Sequence, residues 1–356
     1  MNLEKYIQSI EGLDKQSMEE ALDHWDHLTH PIGSLGELET LTIRLAGIQK
    51  KKIPNIEKKA VIVMCADNGI FHEDISSSPQ EFTQMLANAM VQGDTGVCSL
   101  AGYTNAEVVV VDIGMLHTGP FDKRVLDYNV RQSTENFYVQ DAMSREDAIQ
   151  GILNGIAVAE KKIAEGVKIF GTGELGIANT TTSAAVLHAI TKFPAEECVG
   201  YGAGINDVQY QKKVKVVKEG VANRIKEEDD VISILAKVGG LDIAGLVGVF
   251  LAGAKNRVPV VMDGIISSVA AMVAVELNPL VKDFIYASHL SKELAAPKVF
   301  EYMKIRPLVS LDMRLGEGSG CPFTFMILES GIHCMENMGQ IAKTNIDPYV
   351  QVNLRK

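Results

Sequence analysis

Short runs of apolar residues alternate with longer amphipathic stretches through most of this chain. Six runs are rich in β-branched residues and close on a polar side chain: 60–64 toward Asp67, 107–111 at Asp112, 167–170 toward Glu174, 258–262 at Asp263, 284–286 before Ser288, and 308–311 at Asp312. Near-continuous apolar runs of this length suit strands buried on both faces of a parallel sheet. The helical stretches between them supply crossover connections. The pattern predicts a doubly wound α/β core. In such a core ligands sit beyond the carboxyl ends of the strands, so the strand-terminal polar residues mark the expected site.

The two ends of the chain read differently. Both are helical by pattern and free of strands, with amphipathic runs at 35–49 and 327–341. They are expected to pack together as a small helical subdomain, residues 1–50 plus 327–356, beside a large α/β domain spanning 51–326. No internal repeat, low-complexity tract or long linker divides the chain further.

Composition narrows the choice of partner. With 356 residues, 46% of them hydrophobic, the chain can bury one large core. A formal net charge of −11 tells against nucleic acid, because a duplex-binding face needs a basic stripe. The densest basic run, Lys50, Lys51 and Lys52 followed by Lys58 and Lys59, reads as a solvated loop before a strand. The five cysteines show no paired spacing and read as reduced thiols of a cytoplasmic protein. Residues 1–6 lack the order of a secretory leader. The longest apolar run, 243–254, is too short to span a bilayer and meets Lys255 at once, so no membrane is expected.

Two stretches far apart each set one glutamate between glycines: Gly173, Glu174, Leu175, Gly176, and Gly316, Glu317, Gly318. Glycines there are read as tight turns that let a ligand approach the backbone, and the carboxylate as a base or hydroxyl acceptor. The first stretch runs into Asn179, Thr180, Thr181, Thr182 and Ser183 at an expected helix start. Together they suggest a site that holds a phosphorylated sugar and moves a proton. Residues 171–176 also match the dinucleotide fingerprint. Glu174, however, would repel a pyrophosphate in that turn, and Glu196 and Glu197 do not close a second strand. A structural turn without ligand stays open as the plain alternative. Gly200, Gly202 and Gly204 form a second glycine loop, followed by a helix carrying Lys212 and Lys213. Alternate glycines bare amides that can cradle an anion, and a flexible connection is the competing reading.

Other chemistries find less support. His24, His27 and His30 recur every third residue without a carboxylate or cysteine companion, which reads as a subdomain contact. Asp67 and Asp263 are read as cation ligands or as acids that orient nearby amides and hydroxyls, and no metal is demanded. A serine nucleophile elbow is absent.

The motifs taken together resemble the nicotinate-nucleotide–dimethylbenzimidazole phosphoribosyltransferases, enzymes of cobalamin lower-ligand assembly. The resemblance runs nearly end to end: 28–36, 66–69, 173–181, 202–207, 239–244, 263–267, 288–293 and 315–320 follow in family order. It implies a Rossmann-like large domain, a small helical domain from both chain ends, a homodimer, and no cofactor. It implies transfer of phosphoribose from nicotinate mononucleotide to a benzimidazole nitrogen with inversion at the anomeric carbon. Carried over, Glu317 is the general base and Glu174 lies beside the ribose or assists it. Gly176, Thr180, Gly202, Gly204, Lys213, Gly264 and Ser291 surround the phosphate and ribose, while Ser78, Met85, Leu86 and Leu315 line the aromatic pocket. Asn68 stands where the family usually has histidine, and His30 and Ile32 where lysine and proline are usual, which leaves the acceptor open among benzimidazoles, adenine and phenols. A non-catalytic nucleotide-binding subunit and a nicotinamide-dependent oxidoreductase are the rival readings.

Overall fold

Six strands form one sheet: β1 (Lys59–Ala66), β2 (Ala106–Gly114), β3 (Leu126–Asp127), β4 (Ile169–Leu175), β5 (Val260–Met262) and β6 (Ile285–Ala287). Their spatial order is β3-β2-β1-β4-β5-β6, and every pairing is parallel. The computed structural model describes residues 1–202, 204–343 and 353–354, so 344–352 and 355–356 of the expected helical subdomain lie outside the described residues. The doubly wound α/β fold read from the pattern is the one observed. β1 and β4 are buried along their whole length, which is why their side chains read as apolar runs rather than alternation. The chain turns outward in opposite directions from β1 and from β4, and that reversal opens a crevice at their carboxyl ends.

Three details depart from the pattern. Residues 308–311 add no strand to the sheet; they touch the loop after β6 through one bridge, His289 to Val309. Pro307 precedes the run and Ser310 and Leu311 are exposed, so nothing covers it on both faces. Asp312 is accordingly no strand-end acid but a surface residue paired with Lys292 at 3.0 Å. The two-residue β3 carries too short a signal to be read from sequence. Finally, Gly171, Gly173 and Glu174 belong to β4 and not to a turn, with Glu174 in register with Met64 of β1.

The glycines of β4 have a packing reason. A methyl at Gly171 would come within 2.6 Å of the Cys321 Cβ, and one at Gly173 would overlap the Glu317 carbonyl oxygen. Bare backbone at these positions lets the loop before the helix Cys321–Asn337 lie directly on the sheet. The helix Leu241–Lys255 covers the other side. It is buried all round from Leu241 to Ala254, pressed between the sheet and the helix Arg145–Ala164. None of the described helices is long and apolar enough to cross a membrane.

The helices at the two chain ends meet. Ala21, Trp25, Leu28, Ala46 and Met335 form a satellite cluster, and the Trp25 indole donates to the Thr42 hydroxyl at 3.0 Å. His24 contacts the Met335 carbonyl at 2.7 Å, in keeping with its reading as a helix contact. The same helices also feed Leu41, Leu45, Ile48 and Leu328 into the main core. Tyr286 of β6 donates to the Leu41 carbonyl at 2.9 Å, and Arg257 donates to the carbonyls of Gly47 and Ile48 at 2.8 Å each. Residue 327, where the sequence reading divides the chain, lies inside the helix Cys321–Asn337.

The crossing of the helices Arg145–Ala164 and Leu241–Lys255 gives a stability prediction. A methyl at Gly155 would overlap the Gly245 carbonyl oxygen, while one at Gly102 meets no atom within 4 Å. Gly155→Ala is expected to destabilise by about 1–3 kcal/mol or more, as overpacking does. Gly102→Ala, in an exposed helical position, should be neutral or stabilising by up to about 1 kcal/mol. Denaturant midpoints of the two variants check both.

Candidate active site

The two glutamates that sequence sets far apart are interlocked. Gly316 lies so close to Glu174 that a methyl there would meet the Glu174 Oε1 at 2.7 Å, while Gly173 lies under the Glu317 carbonyl. The Gly316–Glu317–Gly318 turn is left-handed throughout, with φ of 80°, 63° and 87°. Such a conformation costs a non-glycine residue about 1–2 kcal/mol, a cost found where function needs it. The Glu317 carboxylate receives the Val97 amide at 3.4 Å, from the start of the helix Gly96–Tyr103. Asp263 at the end of β5 accepts the Gly318 amide at 3.1 Å and the Gly320 amide at 2.7 Å. Asp67 at the end of β1 accepts the Leu116 amide and the Thr83 hydroxyl at 2.8 and 2.7 Å. The strand-end acids therefore orient amides and hydroxyls, one of the two roles read from sequence.

From Glu174 the contacts continue around the strand ends. The Asn179 side-chain amide donates to the Glu174 carboxylate and, at 3.0 Å, to Asp242. Next to Asn179, Thr180 accepts the Lys213 ammonium at 2.8 Å, and Lys213 also donates to the Gly200 carbonyl at 3.0 Å. Gly202, with φ of 57°, sits over Thr180, where a methyl would come within 3.0 Å of its hydroxyl. Gly204 also has positive φ, at 108°. Gly200 abuts the Glu293 carboxylate. The Glu293 amide donates to Ser291 at 3.3 Å, and Ser291 lies 4.0 Å from the Cβ position of Gly264, beside Asp263. This closes a ring through Glu317, Glu174, Thr180, Lys213, the glycine loop, Ser291 and Gly264. Gly176 stands differently: its α-carbon packs against the Ala66 carbonyl and the Asp242 carboxylate, so its bareness serves packing between β1 and β4.

Of the residues read as lining an aromatic pocket, two are largely exposed. Leu315 is 56% exposed, and a methyl at Gly96 would touch it at 2.5 Å, which puts it over the helix start that contacts Glu317. Met85 is 61% exposed, whereas Leu86, the next residue on the same helix, packs on the core. Ser78 is half-buried in a tight loop with Ser76. The 78–86 segment reaches the strand ends through Thr83, which also receives the Ile177 amide at 3.3 Å. Asn68 is fully buried and packs near Gly176 and Gly240, beneath the crevice.

Burial sets the electrostatics. Burial first, then the neighbouring Asp242, with Asp263 and Glu317 adding, pushes Glu174 up to about 8. Burial likewise pushes Asp242 and Asp67 up to about 6. Burial raises Glu317 as well, with the Val97 amide opposing and the Asp263 charge adding. Burial lowers the Lys213 ammonium to about 8. Burial therefore favours the protonated form of Glu174, which can donate a proton or hydrogen bond.

A phosphoribosyltransferase family model matches residues 10–346. The chain is 41% identical over 355 residues to the nicotinate-nucleotide–dimethylbenzimidazole phosphoribosyltransferase of Clostridium tetani (strain Massachusetts), covering 99% of this chain and 98% of that one. It is 38% identical over 341 residues to the enzyme of that name from Escherichia coli O127:H6, covering 96% and 95%. The crystal structure of CobT from Thermus thermophilus superposes with a TM-score of 0.88 at 31% identity, over 92% of this chain and 98% of that one. The chain belongs to the nicotinate-nucleotide–dimethylbenzimidazole phosphoribosyltransferase family.

Within this phosphoribosyltransferase, sequence reasoning assigned no part to Asp242, Asn179 or the 95–97 segment. Asp242 did carry a signal: it is a lone acid at the start of a helix that is otherwise apolar to Ala254. Asn179 was hidden in a run of hydroxyls, and nothing local marks Val97, whose amide matters only through the fold. The strand order is that of dinucleotide-binding sheets, yet the glycine-rich stretch lies inside β4 rather than in a strand-to-helix turn, so the fingerprint match has no phosphate-binding geometry.

The raised Glu174 pKa predicts a pH dependence of stability. The folded state holds this proton more tightly than an unfolded glutamate near 4.5, so stability is lost as pH rises from there through about 8. Glu174→Gln, neutral throughout, should escape that loss. Its denaturant midpoint relative to wild type is expected to rise between about pH 5 and about pH 8. A constant difference over that range would show that Glu174 is already ionised when folded.

Proposed function

We propose that the protein moves 5-phosphoribose from nicotinate mononucleotide to 5,6-dimethylbenzimidazole or a related flat base, giving the α-ribazole 5′-phosphate and nicotinate. The observation that carries this reading is the closed ring at the strand ends, with a glycine-held carboxylate opposite a buried, neutral-partnered ammonium. Both hydrogen-bond acceptors of Lys213, Thr180 and the Gly200 carbonyl, are uncharged. Among the described residues, Glu293 is the one charge that acts on this ammonium and makes no hydrogen bond to it, so donors remain for a phosphate, and the positive-φ glycines beside it leave room for one. Ser291 and Gly264 lie further round the ring, where the ribose follows.

In this reaction a lone-pair nitrogen of the acceptor attacks the anomeric carbon as its bond to the nicotinate nitrogen breaks. The electron pair of that bond returns to the pyridinium, which leaves neutral, so no strong acid is required. The proton on the acceptor's other nitrogen passes to Glu317, a step that contributes about 10²–10⁴-fold. Holding both substrates in line contributes up to about 7–11 kcal/mol. Glu174, its protonated form favoured by burial, serves as a hydrogen-bond donor at the sugar rather than as a second base. Leu315 and the 78–86 segment supply the apolar wall for the acceptor. The reading needs neither cofactor nor metal, and its setting is a homodimer in the cytoplasm.

Turnover of nicotinate mononucleotide against a panel of benzimidazoles, purines and phenols, with products identified by mass, tests the reaction. No nicotinate release with any acceptor would leave only a binding subunit. Glu317→Gln is expected to fold and bind donor while losing about 10²-fold or more in kcat. Near wild-type turnover would move the base to another residue. A separate prediction concerns the donor seat: Lys213→Ala should raise KM for the mononucleotide much more than for nicotinate riboside, which lacks the phosphate. Equal effects on both donors would remove the phosphate from this loop.

A further inference from the structure

The Glu317 side chain meets the protein through the Val97 amide, a long contact at 3.4 Å, and the Thr95 hydroxyl, so its reach is set by that helix start and by its own backbone. That backbone is gripped from one side. Asp263 Oδ2 accepts the Gly318 amide at 3.1 Å and Oδ1 accepts the Gly320 amide at 2.7 Å. The Asp263 amide in turn donates to the Ser267 hydroxyl at 3.0 Å, in the first turn of the helix Ile265–Leu277. His289 Nδ1 stands 3.6 Å from Asp263 Oδ1 and 3.0 Å from the Ser288 hydroxyl. Asp263 and His289 are each only 2% exposed.

We propose that Asp263 is a positioning residue of the transfer reaction: its carboxylate clamps both amides of the left-handed turn and so fixes where the Glu317 carboxylate meets the acceptor. The proposal rests on the reading of Glu317 as the base. A turn with three successive positive φ values, one of them at a glutamate, relaxes unless its surroundings over-determine it. The paired amide bonds supply that constraint, and a charged acceptor makes each bond stronger than a neutral one does. Gly320 keeps the clamp open, since a methyl there would overlap the His289 ring and come within 2.7 Å of Asp263 Oδ1. Gly320 has ordinary helical dihedrals, so alanine would bring no backbone strain, only this wedge. A carboxylate shifted by about 1 Å loses about 10²-fold in rate.

Two titratable neighbours face Glu317: Asp263 from the end of β5 and Glu174 from the end of β4. The helix start at 95–97 offers a hydroxyl and an amide, while His289 and Cys321 face Asp263 itself. The Asp263 charge raises the Glu317 pKa, so removing it should carry the acidic limb of the rate profile to lower pH.

The test measures kcat, donor KM and the pH profile of kcat for wild type, Asp263→Asn, Gly320→Ala and Glu317→Gln. Asp263→Asn keeps one acceptor oxygen but turns an amide donor toward a backbone N–H. It and Gly320→Ala are expected to lose about 10²-fold in kcat with donor KM within about twofold, the signature of a transition-state effect. Only Asp263→Asn should move the acidic limb, because Gly320→Ala keeps the charge. A folded Asp263→Asn with kcat within about twofold of wild type, or with an unmoved limb, overturns the proposal. If Asp263→Asn fails to fold, Gly320→Ala decides, and full activity there overturns it equally. An active Glu317→Gln would instead refute the base reading and the premise with it. An inactive Glu317→Gln beside active Asp263→Asn and Gly320→Ala refutes the clamp alone.

Discussion

The close approach of two bare backbones organises the rest of the site. Gly173 in the centre of the sheet carries no side chain, so the Glu317 carbonyl can rest on it, and Gly316 in turn leaves room for the Glu174 carboxylate. A methyl at Gly173 would lift the 316–320 loop off β4, and one at Gly316 would displace the Glu174 carboxylate. The helix Cys321–Asn337 starts immediately after that loop, with Cys321 packed on Gly171. One contact thus sets the spacing of the two glutamates, the entry of the last long helix and, through Met335, the docking of the amino-terminal helices around Trp25.

The same approach creates an electrostatic situation with a chemical use. Asp67, Asp242, Asp263, Glu174 and Glu317 are all buried at the ends of strands or at the neighbouring turns. Burial without a matching cation raises carboxyl pKa values, and the acids separate into different roles accordingly. Asp263 and Asp67 are held by amides and hydroxyls, burial favours the protonated form of Glu174, and Glu317 takes the Val97 amide. In the proposed reaction the donor brings positive charge into this cluster as a pyridinium, and that charge shifts onto the sugar as the bond breaks. A nest of acids that is costly when empty is complementary to that transition state. The ammonium of Lys213 lies apart from these acids, against Thr180 and Gly200, where the proposal puts the phosphate.

Positions along the sheet were legible in the sequence because strands buried on both faces must be apolar throughout. Residues 60–64, 107–111 and 167–170 have that character, and they became β1, β2 and β4. The reading failed where burial came from elsewhere. Residues 308–311 are apolar enough for a strand, but they lie outside the sheet with one face exposed. Gly171 and Gly173 looked like a turn because glycine is common in turns, whereas their bareness answers a neighbour almost 150 residues on. Gly176 was read as lying beside the phosphate and ribose, and the structure adds that its α-carbon packs against β1.

The sequence by itself determined that this is a parallel α/β protein and marked Glu174 and Glu317 as acids set beside glycine. Those conclusions follow from local rules: periodicity records burial, and glycine beside an acid records a special backbone. Tertiary structure alone decided that the two glutamates interlock, with Gly316 against the Glu174 carboxylate and Gly173 under the Glu317 carbonyl. It also decided that Asn179 bridges Glu174 to Asp242, and that Asp263 holds the turn under Glu317. Hydrogen bonds and charge repulsion between residues distant in the chain have no local signature, because they depend on distances that exist only after β1, β4 and β5 have paired.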